Sequence, residues 1–205
     1  MRAIRHILWG LVAVFVLAMA TVFLMQKGKD GFERLKNEGE QALILGQDFN
    51  LTNHRGEPIS QDYFKDYPSV LFFGFTYCPD ICPTTLNDLS LWHEQLAPKL
   101  RKNMRYGFIT VDPERDTPAA MAAYIESFPV PVMGITGEPE DIKALADSWR
   151  VFAQKVPLGE GEYTLNHTAS LFLVNPDGSL KGTITYQEKP EVAFSKLELL
   201  AKTRL

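Results

Sequence analysis

The eight residues Ser69 to Thr76 (SVLFFGFT) constrain the fold more than any other stretch of this chain. They form a nearly continuous apolar run with β-branched and aromatic side chains, which predicts a central strand buried on both faces and therefore covering layers above and below it. A helix is expected to follow at about Pro83 to Leu96. Met104 to Val111 (MRYGFITV) reads as a second strand. Thr117 as an N-cap, Pro118 at the first helical position and the spacing of Met121, Tyr124, Ile125 and Phe128 predict an amphipathic helix after it. Val132 to Thr136 is a short third strand, and Pro139 to Trp149 a helix with Ile142, Leu145, Ala146 and Trp149 on one face. Strands alternating with helices imply parallel pairing. The pattern then changes: the runs Thr168 to Val174 and Leu180 to Tyr186 flank NPDG, a hairpin signal, and a helix from Pro190 to Lys202 closes the chain.

These elements describe an α/β domain with a mixed central sheet and helices on both faces, the outline of a thioredoxin-like fold. The 205 residues fall into four parts: a short N-terminus at 1–6, an apolar segment at 7–25, a charged tether at 26–45 and the folded domain at 46–205. The segment from Ile7 to Met25 has 19 residues without a charge, and a helix of that length spans about 28 Å, close to a bilayer's hydrocarbon core. Arg2 and Arg5 before it, and Trp9 near its start, fit a cytoplasmic N-terminus and an exported domain, whereas Lys27 and Lys29 weaken the charge asymmetry. Ala18, Met19 and Ala20 resemble a signal-peptide cleavage site, yet the apolar run continues through TVFLM, which favours a retained anchor. With no long transit segment before the span, the expectation is a bacterial inner membrane crossed once, with the domain in the periplasm. The 21 basic and 25 acidic side chains give a net charge of −4, which disfavours nucleic acid as a partner.

Chemistry concentrates at TYCPDICPTT, residues 76–85, directly after the strongest strand. Ligands of open α/β sheets gather at the carboxyl ends of parallel strands, and Cys78 and Cys82 sit at such an end. Pro83 is suited to the first helical position, which makes Cys82 the expected N-cap, where the helix terminus favours a thiolate. Either metal ligation or redox exchange requires that thiolate. With only two Cys in the chain, a multi-cysteine zinc scaffold is excluded, and a local disulfide is the plain alternative.

Two thiolates under-coordinate most metals, so a third donor matters. His6 precedes the apolar segment, His54 lies in a polar turn (LTNHRGEP), and His93 falls on the apolar stripe of the helix after the cysteines. His167, immediately before the strand Thr168 to Val174 and after the glycine-bearing loop VPLGEGEYTLN, is the remaining candidate, either as a ligand or as an ordinary surface histidine. Two thiolates and an imidazole would suit copper, as Cu(I) or Cu(II), whereas zinc usually takes a fourth ligand.

The blocks CPDICP, TVDPERDTP at 110–118 and NHTASLFLVNPDG at 166–178 together resemble the SCO/SenC family, copper-binding assembly factors for the CuA centre of cytochrome c oxidase. The resemblance runs from about Gly46 to the C-terminus and includes the anchor. It implies a thioredoxin-like domain, copper ligation by Cys78, Cys82 and His167, and work on the copper-site subunit of the oxidase, with a periplasmic copper donor protein as a possible second partner. The family commonly has Asp before the ligand histidine. This chain has Asn166, which removes a negative charge there.

Asp112 ends the second strand on the same edge as the cysteines, a place for a carboxylate that supports a ligand or meets a docking partner, and Glu114, Arg115 and Asp116 read as turn, ion-pair and helix-start residues. Three functions compete. A copper metallochaperone explains both cysteines and the histidine and turns over no substrate. A thiol:disulfide oxidoreductase that reduces the oxidase's CuA-site cysteines before metal arrives uses Cys78 and Cys82 alone. Against a general oxidoreductase stand the CxxxC spacing and the lack of a proline between Pro157 and Pro176. A peroxidase or copper sensor has no dedicated feature beyond the thiols.

Overall fold

A computed structural model describes residues 49–204, together with Trp9 and Met19. Apart from those two positions, the expected membrane helix at 7–25 and tether at 26–45 lie outside the described residues. In chain order the elements are β1 (Leu51–Asn53), β2 (Pro58–Ile59), β3 (Ser69–Gly74), α1 (Ile81–Gln95), α2 (Pro98–Arg101), β4 (Arg105–Thr110), α3 (Pro118–Ile125), β5 (Val132–Thr136), α4 (Pro139–Ser148), β6 (Ala153–Gly159), β7 (Glu162–His167), β8 (Ser170–Val174), β9 (Leu180–Thr185) and α5 (Pro190–Ala201).

Every residue of β3 is buried, as its continuous apolar run requires. It lies between β4, parallel to it, and β8, antiparallel, inside a seven-stranded sheet ordered β2-β1-β5-β4-β3-β8-β9. Because successive strand residues face opposite ways, β3 feeds two cores. Val70 and Phe72 pack with Leu86 and Leu89 of α1, Met121 of α3 and Leu197 of α5. Leu71 and Phe73 pack on the other face with Ile142 and Leu145 of α4 and with Trp149. Each fully buried Phe of this strand contributes about 1.5–3 kcal/mol of transfer free energy. The result is the mixed sheet covered on both faces that the sequence pattern describes, and Thr117 caps α3 as expected, accepting from the Ala120 amide at 3.2 Å with Pro118 at the first position.

Two features depart from the sequence reading. The segment read as a loop, VPLGEGEYTLN, belongs to a hairpin: β6 and β7 form a separate two-stranded ribbon, paired from Ala153↔His167 to Gly159↔Glu162. Nearly all of β6 is exposed, so no apolar alternation marks it, and Pro157 and Gly159 argue against a strand on local grounds. Turn residues Glu160 and Gly161 adopt positive φ, as a tight reversal requires. The second departure is β1 and β2, a hairpin turning through His54 in which β1 pairs with β5 and β2 forms the sheet edge, both too short for a periodic signal.

Gly74 ends β3 where there is no room for a side chain. A Cβ there would lie 2.6 Å from Phe108 Cε2 and 2.8 Å from Cys82 Sγ. Overpacking of this kind costs about 1–3 kcal/mol. Gly74→Ala is therefore expected to lower the urea midpoint by a corresponding amount, while Gly182→Ala, with nothing within 4 Å, leaves it unchanged or slightly raised. Equilibrium denaturation of both variants checks the pair.

Candidate metal centre

Helix α1 begins at Ile81 with Asp80 as its N-cap, so Cys82 is inside the first turn and is not the cap. The shift is tolerated because none of the first amides has an intrahelical acceptor, and Pro83 loses no bond at the third position. Asp80 makes no side-chain capping bond to the helix. Cys78 supplies one instead: the Cys82 amide donates to Cys78 Sγ at 3.3 Å. The helix terminus thus favours a thiolate at Cys78, whereas the sequence alone predicts it at Cys82.

The two sulfurs, both free thiols, have opposite surroundings. Cys78 is half-buried, and hydrogen bonding from the Cys82 thiol, aided by His167 and the amides of Cys82 and Asp80, pulls its pKa down to about 4 against the cost of burial. Cys82 is fully buried, and its bond to Cys78, burial and the neighbouring negative charge push its pKa far up. Of the coupled pair, Cys78 is the sulfur that gives up its proton first.

His167 is the last residue of β7, two residues short of β8, whose Leu171 pairs with Phe72 of β3. That register brings the imidazole to the end of β3 from which the cysteine loop departs. Its Nε2 lies 3.5 Å from Cys82 Sγ, and its Nδ1 3.1 Å from the Thr168 carbonyl. A carbonyl only accepts, so Nδ1 donates to Thr168, which leaves Nε2 as the ring atom turned toward the sulfurs. The imidazole and the Phe75 ring are T-shaped, with 5.6 Å between centroids. One donor atom from each of Cys78, Cys82 and His167 lies within 4.8 Å of the others. This soft set of two sulfurs and a nitrogen fits a thiophilic metal, and the sulfurs alone suit disulfide exchange.

Among the described residues, the other two histidines, His54 and His93, are structural. His54 Nδ1 accepts from the Gly134 amide at 3.2 Å, and His93 Nδ1 is 2.8 Å from the Tyr106 hydroxyl; burial lowers both pKa values. His6 lies outside the described residues. Asn166 is exposed and, being adjacent to His167 on a strand, points to the opposite side of the ribbon.

Asp112 is 1% exposed and engages both oxygens internally: Arg115 Nε donates to Oδ2, and the Tyr163 hydroxyl to Oδ1 at 2.8 Å. Asp116, read from sequence as a helix-start residue, is fully buried and accepts from the Thr76 amide at 3.1 Å, the Thr76 hydroxyl at 2.5 Å and the Thr110 hydroxyl at 2.6 Å. Burial raises its pKa despite those bonds. Tyr124, stacked on Phe108, buries a hydroxyl that has no hydrogen-bond partner on the cysteine side of the sheet. Asp116, Tyr163 and Tyr124 have no spacing that singles them out, and only the polar density of DPERDTP beside a strand end hinted at the first.

The SCO1/SenC family model matches residues 37–202. The chain belongs to this family. The mitochondrial protein SCO2 homolog of Danio rerio is 37% identical over 159 residues, 76% of this chain, and the chain spans only 57% of that relative's length. Among solved structures, Bradyrhizobium japonicum ScoI with copper bound is 38% identical with a TM-score of 0.69, covering 76% of this chain and 98% of that one. Yeast Sco1 with copper bound is 28% identical with a TM-score of 0.71, covering 79% and 91%.

The asymmetry of the thiols has a direct readout. In the reduced, metal-free protein, iodoacetamide is expected to modify Cys78 before Cys82, at a rate nearly flat from pH 6 to 8, because a thiol with a pKa of about 4 is already ionised across that range. An unperturbed cysteine would gain about tenfold in rate per pH unit there. Peptide mapping of the alkylated chain, timed at each pH, checks both statements.

Proposed function

We propose that this protein is a membrane-anchored copper metallochaperone that holds one copper ion through Cys78, Cys82 and His167 and passes it to the copper-site subunit of cytochrome c oxidase during assembly of the CuA centre. The observation that carries this reading is the approach of the three donor atoms to within 4.8 Å. A set of two sulfurs and one nitrogen satisfies Cu(I) and accepts Cu(II). Three-coordination leaves the ion open to attack by an acceptor's thiolates, so transfer proceeds by ligand exchange. Membership of the SCO1/SenC family and the copper-bound relatives support the choice of metal. The 19-residue apolar run supports an anchor, with the domain on the periplasmic side of a bacterial inner membrane and a periplasmic protein as copper donor.

One observation favours a second reading. Cys78 is held as a thiolate beside the Cys82 thiol, the arrangement of an attacking and a resolving cysteine. The Cys78 thiolate would attack a target disulfide and release one target thiolate; Cys82 would then displace the second, leaving a Cys78–Cys82 disulfide and two reduced target thiols. Two electrons move from this chain to the target.

Copper stoichiometry of the full chain in detergent, fully reduced, separates the readings. One equivalent is expected in the wild type, with binding lost or greatly weakened in Cys78→Ser, Cys82→Ser and His167→Ala. If the wild type bound none, or if His167→Ala bound normally while the Cys variants lost disulfide reductase activity, the oxidoreductase would replace the chaperone.

A further inference from the structure

His167 reaches the cysteines on a ribbon that lies outside the main sheet. Of β6 and β7 only Leu165 is buried, and a cavity of about 330 Å³ lies between the ribbon and α4, bounded by Ile142, Phe152 and Leu165. Apolar packing of the ribbon on the domain is confined to the inward face of β7, where Leu165 and Tyr163 meet the core and the His167 ring meets Phe72 and Phe75, while β6 adds none. The polar contacts that join it to the domain centre on Tyr163, four residues before His167. The Tyr163 hydroxyl donates to Asp112, and its carbonyl accepts from Arg115 Nη1 at 2.9 Å. The Arg115 guanidinium lies over the Tyr163 ring at 3.8 Å and over the Tyr77 ring at 4.7 Å. Tyr77 immediately precedes Cys78. One cation thus stands between a ring from the cysteine loop and a ring from the histidine strand.

The base of this joint is rigid. Arg115 pairs with the buried Asp112, and the adjacent Asp116 binds Thr76 and Thr110 at the ends of β3 and β4. The joint itself is less well satisfied, because Arg115 Nη2 is buried without a hydrogen-bond partner, a cost the joint bears. The remaining ribbon contact in this region, Lys155 to Glu114, is an exposed pair of little energetic weight.

We propose that Arg115 and Tyr163 are positioning residues: together they clasp the β6–β7 ribbon to the cysteine loop and so keep His167 beside Cys82, and opening the clasp converts a three-donor site into a two-sulfur one. The inference rests on the copper-holding reading for its consequence, while the clasp is testable without metal. Arg115→Lys keeps the charge and loses the fork that reaches Asp112 and the Tyr163 carbonyl together. Tyr163→Phe removes a single oxygen and keeps the ring, so it carries the test if the arginine variant fails to fold.

The experiment uses the full chain in detergent, reduced and copper-free, with His167→Ala as reference. Hydrogen exchange across residues 153–167 is expected to quicken about tenfold or more in Arg115→Lys and less in Tyr163→Phe, with β3 and β4 unchanged. The His167 ring signals, displaced by the Phe75 ring in the wild type, should move toward those of a free imidazole. On adding copper, affinity should fall about 10–100-fold, approaching His167→Ala, and the imidazole nitrogen coupling in the Cu(II) spectrum should weaken while thiolate charge transfer persists. Unaltered exchange and ring signals in both variants would overturn the proposal, as would a loosened ribbon with copper affinity and nitrogen coupling intact. A wild-type chain that binds no copper ends the copper reading, and the exchange and ring signals then decide the clasp alone.

Discussion

The carboxylate of Asp116 ties together the strand ends from which the site is built. Its oxygens take the amide and hydroxyl of Thr76 after β3 and the hydroxyl of Thr110 at the end of β4, while its backbone carbonyl takes the Thr136 hydroxyl at the end of β5. Parallel strands release their chains at one edge, and the polar groups freed there need partners. A single buried acid supplies them for three neighbouring strands. Thr76 is two residues from Cys78, and Asp116 adjoins Arg115, so the same anchor sets both the origin of the cysteine loop and the base on which the histidine ribbon rests.

The sheet and its helices were legible because their signals are local and strong. β3 is a continuous apolar run, β5 is bounded where its residues predict, and Thr117 and Pro118 mark the start of α3 by capping chemistry alone. The cysteine pair was legible from its place after the strongest strand, and His167 as the remaining histidine, a ligand or a surface residue until the resemblance of its surrounding block favoured the ligand. The ribbon was not, because its residues face solvent and carry no period, and its pairing is a matter of chain reversal at Glu160 and Gly161. The roles of Asp116 and Tyr163 were hidden for a different reason: their partners lie 40 and 51 residues away, and no spacing records such contacts.

The location of the thiolate shows how a small shift in helix start changes chemistry. Reading Pro83 as the first helical residue puts Cys82 at the positive end of the helix. Starting the helix at Ile81 instead buries Cys82 in the core, against Gly74 and Phe108, and leaves Cys78 outside to receive the Cys82 amide. Three intervening residues are what allow this division. The outer sulfur closes the turn as an acceptor, and the inner one turns into the protein.

The three donors therefore differ in freedom as well as in chemistry. Cys82 is fixed by the core, Cys78 by its capping bond, and His167 by a ribbon held through the inward face of β7 and polar contacts at Arg115 and Tyr163. For an ion held among them, the imidazole is the contact that the least packed part of the domain supplies. Its withdrawal would leave both sulfurs in place, and the outer one, Cys78, follows directly on the exposed Tyr77, at 63% exposure. A partner's thiolates could then approach from the side the histidine vacates.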